Sequence, residues 1–379
     1  MDFIPFNRPA ELGNEFAYMS QALRNGHASG NGPFTKRCEA LLEQALGVPK
    51  VLLTTSCTHA LEMAALLLDI HPDDEIVVPS FTFVSTVNAF VLRGGRPVFV
   101  DIRSDTLNLD ESLVEAAIAG HTRAIVPVHY AGVGCRMDVL ADIARRHSLR
   151  IVEDNAHGLF GRFRGQYLGT FGALATLSFH ETKNFTCGEG GALLINDPAL
   201  IERAEILREK GTNRSRFFRG EVDRYTWVDV GSSYVLSDIL AAYLLAQLEC
   251  RERVMQTRAA IFRRYAEALS DLEAAGKLRL PVVPDDCELA YHMFYLLLPS
   301  PEQRDELIRH LKSQNILAVF HYVPLHLSPM GQRFGYTEQD CPTTQDVSQR
   351  LVRLPFCNDL TEADQSRVIE QVRAFFRKG

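Results

Sequence analysis

Short apolar segments alternate with helical patterns over most of residues 1–210, and this alternation limits the chain to a small set of folds. The predicted strands lie at 51–54, 75–78, 96–100, 124–128 and 150–154, and the predicted helices lie at 59–68, 84–92 and 137–146. Nearly continuous apolar strands separated by helices are typical of a mainly parallel sheet that is covered on both faces. Ligands of such sheets collect beyond the carboxyl ends of the strands, so a functional site is expected there.

The pattern changes after residue 212. Residues 213–229 are polar, aromatic and rich in arginine, and we interpret them as a long functional loop. A helical stretch over 236–269 follows, and strands at 291–298 and 316–322 with helices at 302–312 and 362–377 form a smaller unit. We therefore predict an α/β fold with a large, mainly parallel domain (1–245) and a smaller C-terminal α+β domain (246–379).

Charge and hydropathy exclude two classes of partner. The 40 basic and 47 acidic residues give a net charge of −7, so the chain has no global positive field for nucleic acid. The longest purely apolar stretch, 239–246, is far shorter than the ~20 residues that span a bilayer, which excludes a membrane partner. Residues 1–16 lack a basic start followed by an apolar block, and we expect a cytoplasmic protein without a secretory signal.

Neither the cysteines nor the histidines form a metal framework. Eight cysteines are scattered along the chain without a C-x-x-C pair, and we interpret them as reduced thiols. The segment 180–184, HETKN, begins like a zinc-protease helix but lacks the second histidine. We therefore expect no metal site.

The turn after the first predicted strand suits a phosphate. Residues 54–58, TTSCT, place small hydroxyl side chains and free backbone N–H groups at the start of a helix, where both can bind an anion. The same residues would serve equally as an ordinary helix N-cap, so the signal is nonspecific by itself.

Two other strand ends carry groups that suit a flat heteroaromatic ligand. Asp154 ends an apolar strand, where its carboxylate can hold a protonated ring nitrogen or, equally, cap the next turn. His157 follows three residues later and can face the same ligand or satisfy a loop carbonyl. Phe83 follows the second strand, where its ring can stack on a flat cofactor or belong to the core.

Lys183 lies in a turn that follows a further apolar strand. Desolvation there would lower the pKa of its amine and make it a better nucleophile toward a carbonyl, although a solvated turn is the commoner place for a lysine. The glycines at 188, 190 and 191 allow close backbone approach, but neither glycine fingerprint of nucleotide-binding proteins is present.

Together these strand ends match one cofactor. A phosphate turn, a stacking ring, a carboxylate for a pyridinium nitrogen and a lysine for an aldehyde are the contacts that pyridoxal 5′-phosphate (PLP) needs. All four follow strands of one predicted sheet, in order along the chain. The sequence therefore predicts PLP as the cofactor.

The chain also resembles the DegT/DnrJ/EryC1/StrS sugar aminotransferases over essentially its whole length. The resemblance rests on the segments 74–83, 97–101, 124–130, 153–154, 178–184 and 188–191. It implies a PLP-dependent, aspartate aminotransferase-like fold (fold type I). It also implies a homodimer in which both subunits build each active site.

The same resemblance implies roles for individual residues. Lys183 would bind the cofactor covalently, and Asp154 would hold its pyridine nitrogen. Phe83 takes the stacking position, and His157 takes the position near the phenolic oxygen, where relatives often have glutamine. The phosphate-binding positions are Ser56, Cys57, Thr58, Ser178 and, toward the neighbouring subunit's phosphate, Ser233, where many relatives have asparagine.

Within this family, some segments are most similar to members that move the amino group of L-glutamate to C4 of dTDP-4-dehydro-6-deoxy-D-glucose. These segments are 63–70, 210–215, 217–220, 225–227, 231–234 and 320–326. Four loop arginines suit the diphosphate, although a solvated loop would also be rich in arginine. Tyr322 and His326 can hydrogen-bond the sugar or belong to a domain interface, and His180 is assigned to the substrate side. The loop arginines are Arg214, Arg216, Arg219 and Arg224.

Two alternatives stay open. One is a related nucleotide-sugar aminotransferase that acts at C3 or on a UDP-linked 4-ketosugar, because its cofactor residues would be the same. The other is a noncatalytic or regulatory PLP-binding protein, which an intact Lys183 disfavours. Some relatives replace this lysine with histidine and perform dehydration, a chemistry that Lys183 also disfavours.

Overall fold

The structure is a computed structural model that describes residues 2–377. Its strands are β1 (Lys50–Thr54), β2 (Glu75–Pro79), β3 (Arg96–Val100), β4 (Thr122–Ile125), β5 (Arg150–Asp154), β6 (Arg162–Phe163), β7 (Gln166–Tyr167), β8 (Leu174–Ser178), β9 (Gly191–Ile195), β10 (Cys287–Glu288), β11 (Tyr295–Leu297) and β12 (Leu351–Arg353). Its helices are α1 (Glu15–Arg24), α2 (Pro33–Leu46), α3 (Cys57–Leu67), α4 (Val84–Val91), α5 (Glu111–Val114), α6 (Met137–Arg146), α7 (Ile201–Arg208), α8 (Arg214–Phe218), α9 (Asp238–Glu249), α10 (Arg251–Ala274), α11 (Pro301–Ser313), α12 (Pro329–Arg333), α13 (Pro342–Arg350) and α14 (Glu362–Arg377).

A seven-stranded sheet in the order β1-β9-β8-β5-β4-β2-β3 forms the centre of the molecule. The strands β8, β5, β4, β2 and β3 pair in parallel, whereas β9 is antiparallel to both β8 and β1. All strands of this sheet except β9 therefore point in one direction, which confirms the predicted mainly parallel sheet.

Both faces of the sheet are buried by helices. Leu52 and Leu193 pack with α3 and α4 on one face, while their neighbours Leu53 and Leu194 pack with α2 and α9 on the other. Alternate residues of a strand point to opposite faces. Two covered faces thus require apolar residues at nearly every strand position, which is the pattern of the sequence.

The carboxyl ends of the parallel strands converge on one edge of the sheet. This edge carries the turns that follow β1, β2, β5 and β8, and therefore all four of the predicted cofactor segments. Because β9 runs in the opposite direction, its first residue, Gly191, lies at the same edge, opposite Thr54 and Ser178.

The C-terminal part of the chain forms a separate core. Strands β11 and β12 pair in antiparallel fashion, and α10, α11 and α14 pack around them. The predicted domain boundary at residue 245 lies within α9 and stays a prediction. No helix in residues 2–377 has the length and apolar character needed to cross a membrane.

Four predicted elements differ from the structure. The strand predicted over 291–298 is limited to Tyr295–Leu297. The helix predicted over 236–269 is interrupted at Cys250, whose ψ of 16° leaves the helical range. The strand predicted over 316–322 forms only isolated bridges, because Val319 exchanges two hydrogen bonds with Arg353 and its neighbours find no further ladder. The strand predicted over 124–128 ends at Ile125, just before Pro127, which has no N–H for the ladder.

Candidate active site

The N-terminus of α3 is held in a fixed position at the sheet edge. The Ser56 hydroxyl accepts a hydrogen bond from the His59 amide at 3.1 Å, so Ser56 serves as the N-cap. A Cβ on Gly191 would lie 2.4 Å from the Cys57 amide nitrogen, so only glycine lets β9 approach this turn. The first amides of a helix have no partner within it and favour an anion, so the turn keeps its capacity for phosphate.

Two other side chains of this turn have defined environments. The Thr58 hydroxyl lies 2.8 Å from the Ser85 hydroxyl on α4. Burial raises the pKa of the Cys57 thiol to about 12, and the nearby Asp154 carboxylate adds to this shift. Cys57 is therefore a neutral thiol, which can contribute packing and a weak hydrogen bond but not a nucleophile.

Asp154 is buried at the end of β5 and is oriented by two donors. Its Oδ2 accepts a hydrogen bond from the Thr86 hydroxyl at 2.7 Å, and its Oδ1 accepts one from the Ala156 amide at 3.1 Å. The Thr86 hydroxyl lies 2.7 Å from that of Thr82, which precedes α4. Asp154 thus caps the next turn and also presents a fixed carboxylate at the sheet edge.

Its neighbour Glu153 has a purely structural environment. Glu153 Oε2 lies 2.9 Å from Nε2 of His129, and both residues are fully buried. Because Nδ1 of His129 accepts a hydrogen bond from the Cys135 amide, the ring proton lies on Nε2 and is donated to Glu153. The other donors to this carboxylate are the amides of Gly169, Phe171 and Gly172.

Lys183 is half-buried in a turn that its amide closes by donating to the His180 carbonyl at 2.9 Å. Burial lowers the pKa of its ammonium to about 8, the positive charge of Arg353 adds to this shift, and the Asp154 carboxylate opposes it. At pH 7 about one-tenth of Lys183 is therefore a neutral amine, far more than for a lysine with the ordinary pKa of 10.5. A neutral amine is the form that attacks a carbonyl and abstracts a proton.

His157 is part of a buried pair of imidazoles. Its ring stacks on that of His292 with centroids 4.1 Å apart and planes 15° apart. Burial lowers the pKa of both rings well below the ordinary value, so both are neutral. Nδ1 of His157 is buried and has no hydrogen-bond partner among residues 2–377, which makes it available to a ligand.

Phe83 is exposed, whereas Phe81 belongs to the core. The Phe83 side chain is 58% exposed at the N-terminus of α4, and its ring lies 6.4 Å from that of Tyr322. Tyr322 is half-buried and also contacts Phe81, with ring centroids 5.6 Å apart. The exposure of Phe83 argues against the core alternative and leaves its ring face free to stack.

The other residues that the sequence predicts to bind cofactor or substrate differ in how exposed they are. His180 is half-exposed, with Nδ1 2.9 Å from the Thr182 hydroxyl, and Ser178 is half-buried at the end of β8. Ser233 is exposed. His326 is fully buried, with Nδ1 2.6 Å from the Ser80 hydroxyl, which places it in the interface behind the turn that follows β2.

The loop arginines divide into two pairs. Arg216 and Arg219 form ion pairs with Glu202 and Glu205 of α7 at 2.8 Å and 2.7 Å, and both also pair with Glu221. These contacts give Arg219 carboxylate partners on α7 and in its own loop, and its assignment to the diphosphate stays a prediction. Among residues 2–377, no carboxylate forms an ion pair with Arg214 or Arg224.

Sequence reasoning missed three side chains that position this site. Thr86 orients Asp154. Asn184, beside Lys183, holds His292, because its Nδ2 donates to the Ala290 carbonyl and its Oδ1 lies 3.1 Å from Nδ1 of His292. Arg258 is buried and donates to the carbonyls of Tyr291 and His292. Of these contacts, the sequence gives a signal only for Thr86, through its four-residue spacing from Thr82.

These groups fit PLP. An amine of lowered pKa suits the aldehyde, a fixed carboxylate suits the pyridine nitrogen, and a helix N-terminus suits the phosphate. The exposed Phe83 ring and the unpaired Nδ1 of His157 supply a stacking face and a hydrogen-bonding group. In the described range 2–377, no group of three or more His, Cys, Asp or Glu residues is placed to hold a metal ion.

A mainly parallel sheet with a lysine and an aspartate at its carboxyl edge, together with a smaller C-terminal unit, defines a PLP-dependent aminotransferase of fold type I. The chain belongs to the DegT/DnrJ/EryC1/StrS aminotransferase family, which matches residues 10–373. It is therefore a PLP-dependent sugar aminotransferase. Members of this family act on small molecules and are generally dimeric.

Individual relatives support this assignment over the whole chain. The spore coat polysaccharide biosynthesis protein SpsC of Bacillus subtilis is 32% identical in an alignment that covers 98% of this chain and 96% of SpsC. The aminotransferase TlmJ of Streptoalloteichus hindustanus is 29% identical, with a TM-score of 0.91 and complete coverage of both chains. The PLP form of the putative sugar aminotransferase Spr1654 from Streptococcus pneumoniae is 27% identical, with a TM-score of 0.91 over 100% of this chain and 99% of Spr1654.

Proposed function

We propose that this protein moves the amino group of L-glutamate to C4 of dTDP-4-dehydro-6-deoxy-D-glucose. The products are dTDP-4-amino-4,6-dideoxy-D-galactose and 2-oxoglutarate. The observation that supports amino transfer is the Lys183 amine, whose pKa burial lowers to about 8 beside Asp154. The choice of sugar is supported by segments 210–234 and 320–326, which resemble the transaminase that makes this sugar for enterobacterial common antigen.

In this proposal, the residues at the sheet edge hold PLP. Lys183 binds the aldehyde of PLP, and Asp154 binds its pyridine nitrogen. Phe83 stacks on the face of the PLP ring, and His157 hydrogen-bonds its phenolic oxygen. When bound, PLP serves as the electron sink for the electron pair that remains when a Cα proton leaves. The proposed phosphate contacts are Ser56, Cys57, Thr58, Ser178 and, across a homodimer interface, Ser233.

Lys183 moves the proton in both halves of the reaction. It removes the proton from Cα of glutamate in the first half, and it delivers a proton to C4 of the sugar in the second. A pKa of about 8 suits both tasks, because it lies close to neutral pH and both the amine and the ammonium are then populated.

Asp154 would hold a proton on the pyridine nitrogen of bound PLP. The hydrogen bonds from Thr86 and Ala156 fix the orientation of its carboxylate for this task. A preorganised charge of this kind acts mainly where charge develops in the transition state.

On the substrate side, we assign the sugar to Tyr322, which lies near Phe83, and a peripheral contact to His180. Arg214 and Arg219 are assigned to the diphosphate. His326 is also assigned to the sugar: its Nδ1 lies against the Ser80 hydroxyl, while its buried Nε2 has no hydrogen-bond partner among residues 2–377.

Product analysis tests this function. The purified holoenzyme is incubated with L-glutamate and matched dTDP-4-keto, dTDP-3-keto and UDP-4-keto sugars, and the position and configuration of any new amine are determined by NMR. We expect amination of the dTDP-4-ketosugar at C4, and no product with Lys183→Ala. Preferred amination at C3, or of the UDP-sugar, would replace this substrate with one of the alternatives.

A further inference from the structure

Residues 211–229 form a projecting hairpin, which we call the aromatic ribbon. Thr212 and Trp227 pair in antiparallel fashion, and the Val228 amide donates to the Gly211 carbonyl at 2.8 Å. Gly211 has a φ of +73°, and a Cβ there would lie 1.8 Å from the Asp229 carbonyl oxygen. The ribbon therefore requires glycine at its base, and α8 forms its tip.

The ribbon is anchored to the rest of the molecule by arginines. Arg203 pairs with Asp229 at 2.9 Å and with Asp69 at 2.7 Å. Arg216 and Arg219 hold α8 against α7 through their ion pairs. The aromatic residues of the ribbon are thus carried on a fixed support.

These aromatic side chains are exposed to an unusual degree. Trp227 is 77% exposed, and Tyr225, two residues earlier, is 55% exposed. The Phe217 ring joins this group, with its centroid 5.9 Å from that of Tyr225 and 5.7 Å from that of Phe218. Contiguous exposed apolar surface of this kind marks a binding site.

Unpaired positive charge accompanies the rings. The Arg214 guanidinium lies 5.2 Å from the centroid of the Phe218 ring. Arg224 adjoins Tyr225 in the sequence, and neither arginine forms an ion pair with a carboxylate among residues 2–377, whereas Arg216 and Arg219 do. Guanidinium groups without a carboxylate partner suit phosphate oxygens. They favour a phosphorylated ligand over a protein partner, because the cores of protein interfaces are depleted of charged residues.

We propose that Trp227 is the stacking platform for the base of a nucleoside diphosphate, and that Arg214 and Arg224 bind its two phosphates. The proposal rests on the proposed function, which supplies a nucleotide-linked sugar. Stacking on an aromatic ring tolerates different bases, so the platform contributes affinity for the nucleotide without selecting thymine over uracil. The chain that follows the ribbon lies beside the turn between β1 and α3, where the Thr55 amide donates to the Tyr234 carbonyl at 3.0 Å.

The chain contains a single tryptophan, so its fluorescence reports on Trp227 alone. The holoenzyme is titrated with thymidine diphosphate, thymidine or inorganic pyrophosphate, and binding is followed by tryptophan emission and by calorimetry. We expect thymidine diphosphate to quench the emission on binding. Pyrophosphate, which has no base, is expected to bind without comparable quenching.

Variants separate stacking from charge. Trp227→Ala is expected to weaken thymidine diphosphate binding roughly 5- to 100-fold and to leave pyrophosphate binding unchanged, whereas Trp227→Phe retains most of the affinity. Phe16→Ala, which removes another exposed ring on α1, is the matched control and is expected to bind as the original chain does. Thermal unfolding confirms that each variant is folded.

Two results would overturn the platform. One is unchanged affinity for thymidine diphosphate in Trp227→Ala. The other is emission that neither the nucleotide nor a neutral quencher affects, which would show that a second copy of the chain covers Trp227. The proposed function fails differently: the original chain then binds no thymidine diphosphate in calorimetry, although glutamate still converts its cofactor.

Discussion

At the scale of single residues, the site depends on how burial and hydrogen bonding set the charge of each group. Lys183 loses part of its hydration and becomes a weaker base, while Asp154 is fixed by the Thr86 hydroxyl. The neighbouring carboxylate of Glu153 accepts hydrogen bonds from backbone amides and from His129. Two adjacent acids thus have different roles, because only one of them presents its oxygens at the sheet edge.

The pKa of Lys183 has a direct kinetic consequence. When the apoenzyme is mixed with PLP, only the neutral amine attacks the aldehyde, so the rate should rise with pH and level off above about 8. The measurement is stopped-flow absorbance of the bound cofactor over a pH series. A rate that keeps rising toward the ordinary lysine pKa of 10.5 would show that burial does not lower the pKa.

Replacing Asp154 tests the electrostatic contribution of its carboxylate. Asp154→Asn keeps the shape of the side chain but removes its charge, so turnover should fall roughly 100- to 1,000-fold while most PLP stays bound. Steady-state kinetics and cofactor content give the two quantities. The variant Thr86→Val removes only the orienting hydroxyl and should lose less activity. Unchanged turnover in Asp154→Asn would refute the role of this carboxylate.

At the scale of elements, the site depends on the close contact between β9 and the turn from β1 to α3. Gly191 lies against the backbone of Ser56 and Cys57, and a side chain at this position would collide with the phosphate turn. The antiparallel direction of β9 is what brings Gly191 to the carboxyl edge of its neighbours.

A methyl group at Gly191 should therefore disturb both stability and cofactor binding. Gly191→Ala puts a Cβ 2.4 Å from backbone atoms, and overpacking of this kind costs about 1–3 kcal/mol of unfolding free energy. Gly120→Ala is the matched control, because no atom lies within 4 Å of its new Cβ. Denaturant unfolding and PLP titration measure both effects, and equal behaviour of the two variants would contradict this contact.

At the scale of the whole molecule, the parallel sheet and its strand ends could be predicted because they depend on local periodicity. Strands 96–100 and 150–154 and helices 137–146 and 362–377 agree with the structure to the residue. Contacts between distant segments could not be predicted, such as Thr86 with Asp154 or His157 with His292. The ion pair between Arg219 and Glu205 of α7 is a contact of the same kind, since the sequence does not show which acid faces which arginine.

Reductive trapping tests the central claim most directly. The holoenzyme is treated with borohydride, which fixes the cofactor to the amine that holds it, and the tagged peptide is identified by mass spectrometry. We predict a pyridoxyl group on Lys183 and its loss in Lys183→Arg. A pyridoxyl group on another lysine, or on none, would contradict the assignment of this protein's catalytic centre.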